Sequence, residues 1–180
     1  MSKTISIVSI VFNDSIGLKR TLDSISTQIS SDFELIIIDG GSTDTTLEIL
    51  EEYSNLISYL ISEKDKGIYD AMNKGLKHSN GKWIIFMNAG DVFYSKNTLS
   101  LTIKKMSDPS KTYFGRAQII GENNNTWLYP SENITNSNID KWLKNKLPNH
   151  QAIFFPKSFY SINNYSLNFT IASDSDYKLR

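Results

Sequence analysis

The stretch "FELIIIDGG", residues 33–41, predicts a buried strand that ends at two glycines. Upstream of it, "ISIVSIVF", residues 5–12, is dominated by β-branched residues, as expected for a strand covered on both faces. Between the two runs, residues 13–28 carry apolar side chains at roughly helical spacing, and Asp14 or Ser15 can cap this helix. The start of the chain therefore predicts a strand, a helix and a second strand.

The same alternation continues after the glycines. Apolar patterns predict a helix, a strand, a helix and a strand in turn, at residues 42–53, 56–62, 67–81 and 82–88. Thr45 and Glu48 fit a capping box at the start of the first of these helices. Four strands separated by three helices predict an open α/β fold, with a mostly parallel sheet and helices on both of its faces.

The second half of the chain has a less regular pattern. It predicts a helix within residues 96–106, strands on either side of the polar turn "GENNN", and a short strand in "QAIFFP". The Asn-rich residues 131–150 predict a long loop with at most one short helix, and "IASDSDYKLR" predicts the start of a last helix. We expect a smaller mixed sheet in this half.

The composition excludes several classes of protein. Nineteen basic and nineteen acidic residues balance, which argues against nucleic-acid binding through a broad basic surface. The absence of cysteine excludes disulfides and thiolate metal sites. The first residues lack a signal-peptide pattern, and no apolar run approaches the ~20 residues of a membrane-spanning helix. We therefore expect a soluble or peripheral protein of the cytoplasm.

Ligands of open α/β sheets bind outside the carboxyl ends of the strands, so the predicted strand ends are the first candidates for function. Asp39 can accept hydrogen bonds from a base or a ribose, or it can satisfy backbone donors in a turn, and both interpretations stay open. Phe12 can stack on a flat base or pack in the core. Glycine-rich fingerprints of dinucleotide-binding proteins and P-loop NTPases are absent, which disfavours both classes.

The stretch "WIIFMNAGDVF" ends the fourth predicted strand with a single carboxylate, Asp91, while Asn88 stands where a second acid could be. Mg²⁺ and Mn²⁺ are commonly held by one or two carboxylates together with substrate phosphates. A turn that caps the next segment explains the same residues, so the pattern alone leaves a metal site and a turn as alternatives.

Further candidates lie outside the strand ends. Lys66, before Gly67, can reach a phosphate or belong to a solvated turn. His150 can be a ligand or a hydrogen-bonded structural residue. Asp174 and Asp176 begin the last helical segment, and one of them can act as a general base while the other caps the helix or is exposed.

Four motifs in this order, "ISIVSIVFND", "FELIIIDGGSTDTT", "SEKDKGIYDAMNKGL" and "GKWIIFMNAGD", resemble the family 2 glycosyltransferases of the GT-A fold. "NHQAIFF" and "IASDSDYKLR" resemble the branch that builds bacterial exopolysaccharides, capsules and O-antigens. The resemblance implies one GT-A domain over residues 1–180, with a nucleotide-sugar-binding half at 1–91 and an acceptor and catalytic-base half at 92–180. Family members usually continue past the last helix, so we expect a C-terminal truncation.

The resemblance also implies roles for single residues on the donor side. Phe12 falls where the family packs an aromatic ring on the nucleobase, and Asp39 falls on the aspartate that holds the base. Lys66 and Asp70 lie in the segment that lines the nucleotide-sugar. The metal-binding aspartate corresponds to Asp91. Asn88 and Gly90 are implied to bind the nucleotide-sugar, and they replace acids that many members carry at these two positions.

On the acceptor side, the resemblance implies that Asp174 is the catalytic base. Its spacing of six residues to Arg180 fits the family pattern better than the spacing from Asp176 does. His150 lies near a family position close to the metal and the acceptor.

The implied function is inverting transfer of a sugar from a nucleotide-diphosphate sugar, with UDP favoured, to a hydroxyl of a glycan or lipid-linked glycan. Mn²⁺ or Mg²⁺ would be the cofactor, and peripheral membrane association is expected. Because two acids are missing around Asp91, a non-catalytic nucleotide-sugar-binding domain or partner subunit is the alternative. A nucleotidyltransferase is disfavoured, since no glycine-rich basic loop follows the first strand.

Overall fold

The computed structural model describes residues 3–135, 137–169 and 173–179. Strands and helices alternate in the first half in the predicted order: β1 (Ile5–Val11), α1 (Ser15–Ser26), β2 (Phe33–Asp39), α2 (Thr46–Glu52), β3 (Tyr59–Ser62), α3 (Ile68–His78) and β4 (Trp83–Phe86). The second half contains shorter elements: α4 (Thr98–Lys105), β5 (Tyr113–Phe114), β6 (Ala117–Ile120), β7 (Thr126–Tyr129), α5 (Ile139–Leu143), a 3-10 turn (His150–Ala152), β8 (Ile153–Pro156), α6 (Lys157–Tyr160) and α7 (Ser173–Leu179).

The main sheet has six strands in the order β3-β2-β1-β4-β8-β5. The first four are mutually parallel, and Val8 in β1 lies between Ile36 of β2 and Phe86 of β4. The strands β8 and β5 extend this sheet in antiparallel orientation. The open, mostly parallel α/β sheet is therefore confirmed.

The second sheet differs from the expectation. In the part of the chain that the structure describes, it consists of β6 and β7, which pair as an antiparallel hairpin, so it is not mixed. The reason is that the other two strands of this half join the main sheet, because β8 pairs with β4 and β5 pairs with β8.

All seven residues of β1 are buried, and successive side chains enter two different cores. On one face, Ile5 and Ile7 pack with apolar side chains of α1 and with Leu99 of α4. On the other face, Val8 packs with α3 and with the aromatic side chains of β8, α6 and α7. Helices therefore cover both faces of the sheet, as predicted.

The start of α1 agrees with the sequence, because Asp14 accepts a hydrogen bond from the Gly17 amide at 2.9 Å. The predicted capping box at α2 is wrong, because Thr45 makes no side-chain capping bond there. Asp44 accepts instead from the amide of Thr46 at 3.0 Å and from its hydroxyl at 2.5 Å. A charged carboxylate is the stronger acceptor, and it occupies the first donors of the helix.

Several predicted strands are longer than the observed ones. The third begins at Tyr59, not at residue 56, and the fourth ends at Phe86, not at residue 88. The short helix α6 was not predicted. Within the described ranges, no helix has the length and apolar character needed to cross a membrane.

Helix α3 approaches β1 closely at Gly75. A Cβ atom added at Gly75 would overlap Cγ1 of Val8, which lies in the middle of the sheet. The glycine therefore sets the distance between this helix and the sheet.

We predict that Gly75→Ala destabilises the protein, although glycine to alanine in a helix interior normally stabilises by ~1 kcal/mol. The overlap with Val8 should cost ~1–3 kcal/mol, as in other overpacked cores. Urea denaturation measures the difference. Gly115→Ala is the control, because nothing lies within 4 Å of a Cβ atom there. An unchanged or raised unfolding free energy in Gly75→Ala would contradict the close approach.

Candidate active site

The loop after β4, residues 88–91 ("NAGD"), forms a closed turn. The amide of Asp91 donates to the carbonyl of Asn88 at 2.9 Å, and the amide of Asn88 donates to Oδ2 of Asp91 at 2.9 Å. Gly90 adopts a φ of +97°, a conformation that side chains other than glycine rarely adopt. The turn that the sequence offered as one alternative is thus present.

The turn leaves the Asp91 carboxylate only partly satisfied. Burial raises its pKa to about 6, although the amide of Asn88 opposes this shift. Within the described parts of the chain, only Oδ2 of this carboxylate accepts a hydrogen bond. A half-buried anionic oxygen without a donor suits a hard divalent cation, so Asp91 fits the implied metal. Among the described residues, no three His, Asp or Glu side chains converge on one metal position.

Asp39 ends β2 and is fully buried. Its carboxylate accepts from the Ser42 amide at 3.1 Å and 3.2 Å, from the Ser42 hydroxyl at 2.5 Å and from the Ser62 hydroxyl at 2.6 Å. This is the arrangement of the turn alternative, in which Asp39 satisfies donors of the following loop. Its contact with a nucleobase stays a prediction.

Phe12 lies just beyond the end of β1 and is 63% exposed, so the core-packing alternative is wrong. The ring is close to Gly40, where an added Cβ atom would lie 3.3 Å from Cδ2 of Phe12. The same Cβ position is 3.1 Å from Oδ2 of Asp65. An exposed ring beside a backbone glycine and a carboxylate forms a flat, open surface at the strand ends.

The loop before α3 is held by ion pairs. Lys66 is exposed, and its amide donates to Oδ2 of Asp70 at 3.0 Å. Lys74 forms ion pairs with Asp65 and with Glu63. Burial lowers the pKa of Lys74, but the two ion pairs outweigh burial and hold this pKa above its ordinary value. Asp70 lines a groove between α3 and α6. The side chain of Asp65 is only 11% exposed.

A cavity of about 400 Å³, here called the Asp174 cavity, is lined by Asn88, His150, Asp174 and Lys178 among others. The structure therefore brings the start of the "NAGD" loop together with the predicted base. Asp176 lies half-buried on the same helix α7, and Arg180 lies outside the described residues.

Lys178 is a site residue that the sequence interpretation missed. Its amino group donates to Oδ2 of Asp174 at 3.0 Å and to the carbonyl of Pro148 at 3.5 Å. Partial burial raises the pKa of Asp174, but the hydrogen bond from Lys178 and the charge of this lysine outweigh burial. They hold the pKa of Asp174 below its ordinary value. The spacing of four residues on a helix is the signal that could have identified the pair.

A second cavity of about 670 Å³, here called the Asp91 cavity, is lined by Gly90, Asp91, Arg20 and Arg116 among others. Residues 149 and 151 line both cavities. The segment 149–151 therefore lies between the carboxylate of the loop and the predicted base.

His150 belongs to this dividing segment and is only 5% exposed. Its Nε2 shares a hydrogen bond of 2.6 Å with the hydroxyl of Tyr165, and its ring stacks on Phe86 at 5.2 Å. Burial is the main reason that the pKa of His150 is lowered to about 4. The charge of Lys178 lowers this pKa further, and the charge of Asp174 opposes the shift. These contacts are those of the structural alternative.

We predict that His150 makes stability depend on pH between about 6.5 and 4. The folded pKa lies below the ordinary value, so the stabilisation is complete above pH 6.5 and is lost as the pH falls toward 4. The loss attributable to this residue is at most about 3 kcal/mol.

Urea denaturation of the wild type and of His150→Phe at pH 7 and pH 5 tests the prediction. The phenylalanine variant should lose less stability between the two pH values, because phenylalanine does not titrate. His78→Asn, at the other histidine, serves as the control. Equal pH dependence of the wild type and His150→Phe would show that the buried histidine is not responsible.

The family model for glycosyl transferase family 2 matches residues 6–167. The PGL/p-HBAD biosynthesis glycosyltransferase of Mycobacterium bovis (strain BCG / Pasteur 1173P2) is 34% identical over 181 residues, which cover 97% of this chain and 68% of that protein. The chain therefore belongs to glycosyl transferase family 2.

Two solved structures have the same fold. TarS of S. aureus in complex with UDP has a TM-score of 0.75 and 17% identity, covering 98% of this chain and 54% of that one. The mannosyltransferase PcManGT from Pyrobaculum calidifontis, in complex with GDP-Man and Mn²⁺, has a TM-score of 0.69 and 17% identity, covering 98% and 51%. The chain thus spans about half the length of these proteins, and the predicted GT-A fold is confirmed.

Proposed function

We propose that this chain is the catalytic core of an inverting glycosyltransferase that uses a nucleotide-diphosphate sugar. The observation that carries the proposal is the Asp174 cavity, where the predicted base and Asn88 of the "NAGD" loop line one space. In parallel sheets, ligands bind at this end of the strands. The family supports the reaction class, and the UDP complex of TarS supports UDP as the nucleotide.

The proposed acceptor is a hydroxyl group of a glycan or lipid-linked glycan in the synthesis of a bacterial surface polysaccharide. The mycobacterial relative is named for PGL/p-HBAD biosynthesis and not for an exopolysaccharide, a capsule or an O-antigen. In one domain, residues 1–91 would bind the donor and residues 92–180 would supply the acceptor site and the base. The family resemblance supports a cytoplasmic site of action, peripheral to the membrane.

Asp174 would take the proton from the acceptor hydroxyl while that oxygen attacks the anomeric carbon. Its lowered pKa keeps the carboxylate ionised at neutral pH, and Lys178 fixes its orientation in the cavity. The bond from the anomeric carbon to the nucleoside diphosphate breaks on the opposite side. A single displacement of this kind inverts the anomeric configuration.

Asp91 would hold Mn²⁺ or Mg²⁺ through the oxygen that the turn leaves without a donor. When bound, the ion supplies positive charge to the departing diphosphate. Because this loop offers one carboxylate, donor phosphates and water would complete the ligand set. Asp91 alone should therefore hold a metal weakly until the donor arrives.

At the other strand ends, Phe12 offers an exposed ring for stacking on the base. Asp39 is fully buried and already accepts from the Ser42 amide and from the hydroxyls of Ser42 and Ser62, so contact with a base N–H would require the surrounding turn to move. Lys66 has an exposed side chain that can reach a phosphate, while Asp70 supports the loop through the Lys66 amide.

Two observations favour a second candidate function, a nucleotide-sugar-binding domain without activity. The "NAGD" loop carries a single acid, and the proposed base is paired with Lys178. Such a domain would bind the donor without transfer to any acceptor.

We predict that Asp174→Asn lowers transfer by ~10²–10⁴-fold, because the acceptor hydroxyl loses its base. Binding of the UDP-sugar donor, followed by calorimetry, should stay within about twofold of the wild type. Asp176→Asn is the matched control, since it removes a carboxylate from the same helix. Full activity of Asp174→Asn, or loss of activity only in Asp176→Asn, would show that the base is assigned to the wrong residue.

We predict that Asp91→Ala abolishes the metal-dependent part of donor binding. In the wild type with Mn²⁺, UDP at ~100 times its dissociation constant should raise the unfolding free energy by ~2.7 kcal/mol. Thermal-shift assays with UDP, with and without Mn²⁺, measure this gain for both proteins. Asp140→Ala, at an exposed carboxylate of α5, is the control. A Mn²⁺ effect that survives in Asp91→Ala would place the metal elsewhere.

A further inference from the structure

Helix α1 presents polar side chains to the segment that contains the "NAGD" loop. Thr21 and Ser24 lie in the helix, and Gln28 follows two residues after its end. Their spacing of three and four residues places them on one face. All three make hydrogen bonds to the backbone between residues 88 and 99, which lies about 70 positions later in the chain.

Thr21 is fully buried and contacts both ends of the turn. Its hydroxyl accepts from the amide of Gly90 at 3.0 Å and lies 3.1 Å from the carbonyl of Asn88. The same hydroxyl oxygen lies 3.2 Å from the carbonyl of Gly17, which competes with the carbonyl of Asn88 for the single hydroxyl proton. When the proton points to Asn88, one side chain bridges the carbonyl before and the amide after the bend.

The contacts continue along the same face of α1. The hydroxyl of Ser24 accepts from the amide of Phe93 at 2.7 Å. The side-chain amide of Gln28 donates to the carbonyl of Ser95 at 2.9 Å and accepts from the amide of Leu99 at 3.1 Å. Asp91 therefore lies between two amides, at residues 90 and 93, that are both held by hydroxyl groups of α1.

We propose that Thr21 and Ser24 are positioning residues that fix the "NAGD" loop and thereby the direction of the Asp91 carboxylate. The amide of Gly90 is part-buried and lies beyond the end of β4, so it needs a specific acceptor outside the strand ladder. Valine has nearly the shape of threonine but no acceptor, so Thr21→Val leaves this amide without its partner. The expected loss of metal and donor binding rests on the proposed function, whereas the expected loosening of the "NAGD" loop does not.

The test compares Thr21→Val with Thr21→Ser, which keeps the hydroxyl, and with Thr46→Val. Thr46 is also fully buried, and its hydroxyl bonds to Asp44 far along the chain from the loop. Ser24→Ala removes the hydrogen bond from the Phe93 amide. If Thr21→Val does not fold, this variant decides whether hydroxyl groups of α1 hold the loop. Two quantities are measured on the full chain: amide hydrogen exchange at residues 88–93, and the Mn²⁺-dependent thermal shift with UDP.

We expect exchange at Gly90 to be at least ~10-fold faster in Thr21→Val, and exchange at Phe93 to be faster in Ser24→Ala. Both variants should lose most of the Mn²⁺-dependent shift. Thr21→Ser should behave like the wild type, and Thr46→Val should lose stability while keeping its Mn²⁺ response. A general loss of stability cannot produce this difference between Thr21→Val and Thr46→Val.

Wild-type exchange rates at Gly90 in Thr21→Val would overturn the proposal, and so would a full Mn²⁺ response in a variant whose loop exchanges faster. If the wild type shows no Mn²⁺-dependent response to UDP at all, the proposed function fails. The exchange rates then still decide whether the two hydroxyls hold the loop.

Discussion

Hydrogen bonds at the end of β1 determine where both candidate loops lie. The carbonyl of Val11 accepts from the amide of Gly40 at 2.9 Å, and the carbonyl of Ile10 accepts from the amide of Ala89 at 3.2 Å. One strand thus anchors the loop after β2 on one side and the "NAGD" loop on the other. Because β1 is buried on both faces, its end cannot move without opening two cores. The distance between the proposed base-binding and metal-binding loops is therefore a property of the sheet.

The two strand-end carboxylates differ in how their charge is satisfied. Asp39 is fully buried, and three donor groups from Ser42 and Ser62 surround it. Among the described residues, Asp91 has one donor, the amide of Asn88, and burial raises its pKa to about 6. A carboxylate that is saturated with neutral donors stabilises its own loop, whereas one that lacks donors gains most from a cation. This contrast is the physical argument for assigning the metal to Asp91.

Local sequence patterns predicted the first half of the fold well, because long apolar runs such as those around Ile7 and Ile37 specify buried strands without reference to distant residues. They could not assign β5 and β8 to the main sheet, since strands of two and four residues carry no information about their partner. The same limit applies to the site. Lys178 is four positions from Asp174 and was detectable, but Thr21 acts on residues 67 and 69 positions away, which no local pattern reveals.

The pair of Lys178 and Asp174 gives the proposed base two opposing properties. The lysine keeps the carboxylate ionised, but it also lowers the affinity of that carboxylate for the proton it must accept. The amino group also lies 3.5 Å from the carbonyl of Pro148, which gives it a second acceptor in the same cavity. An acceptor hydroxyl that approaches Asp174 competes with Lys178 for Oδ2, and a shift of the lysine toward Pro148 would raise the basicity of the carboxylate. Substrate binding and activation of the base would then be the same event.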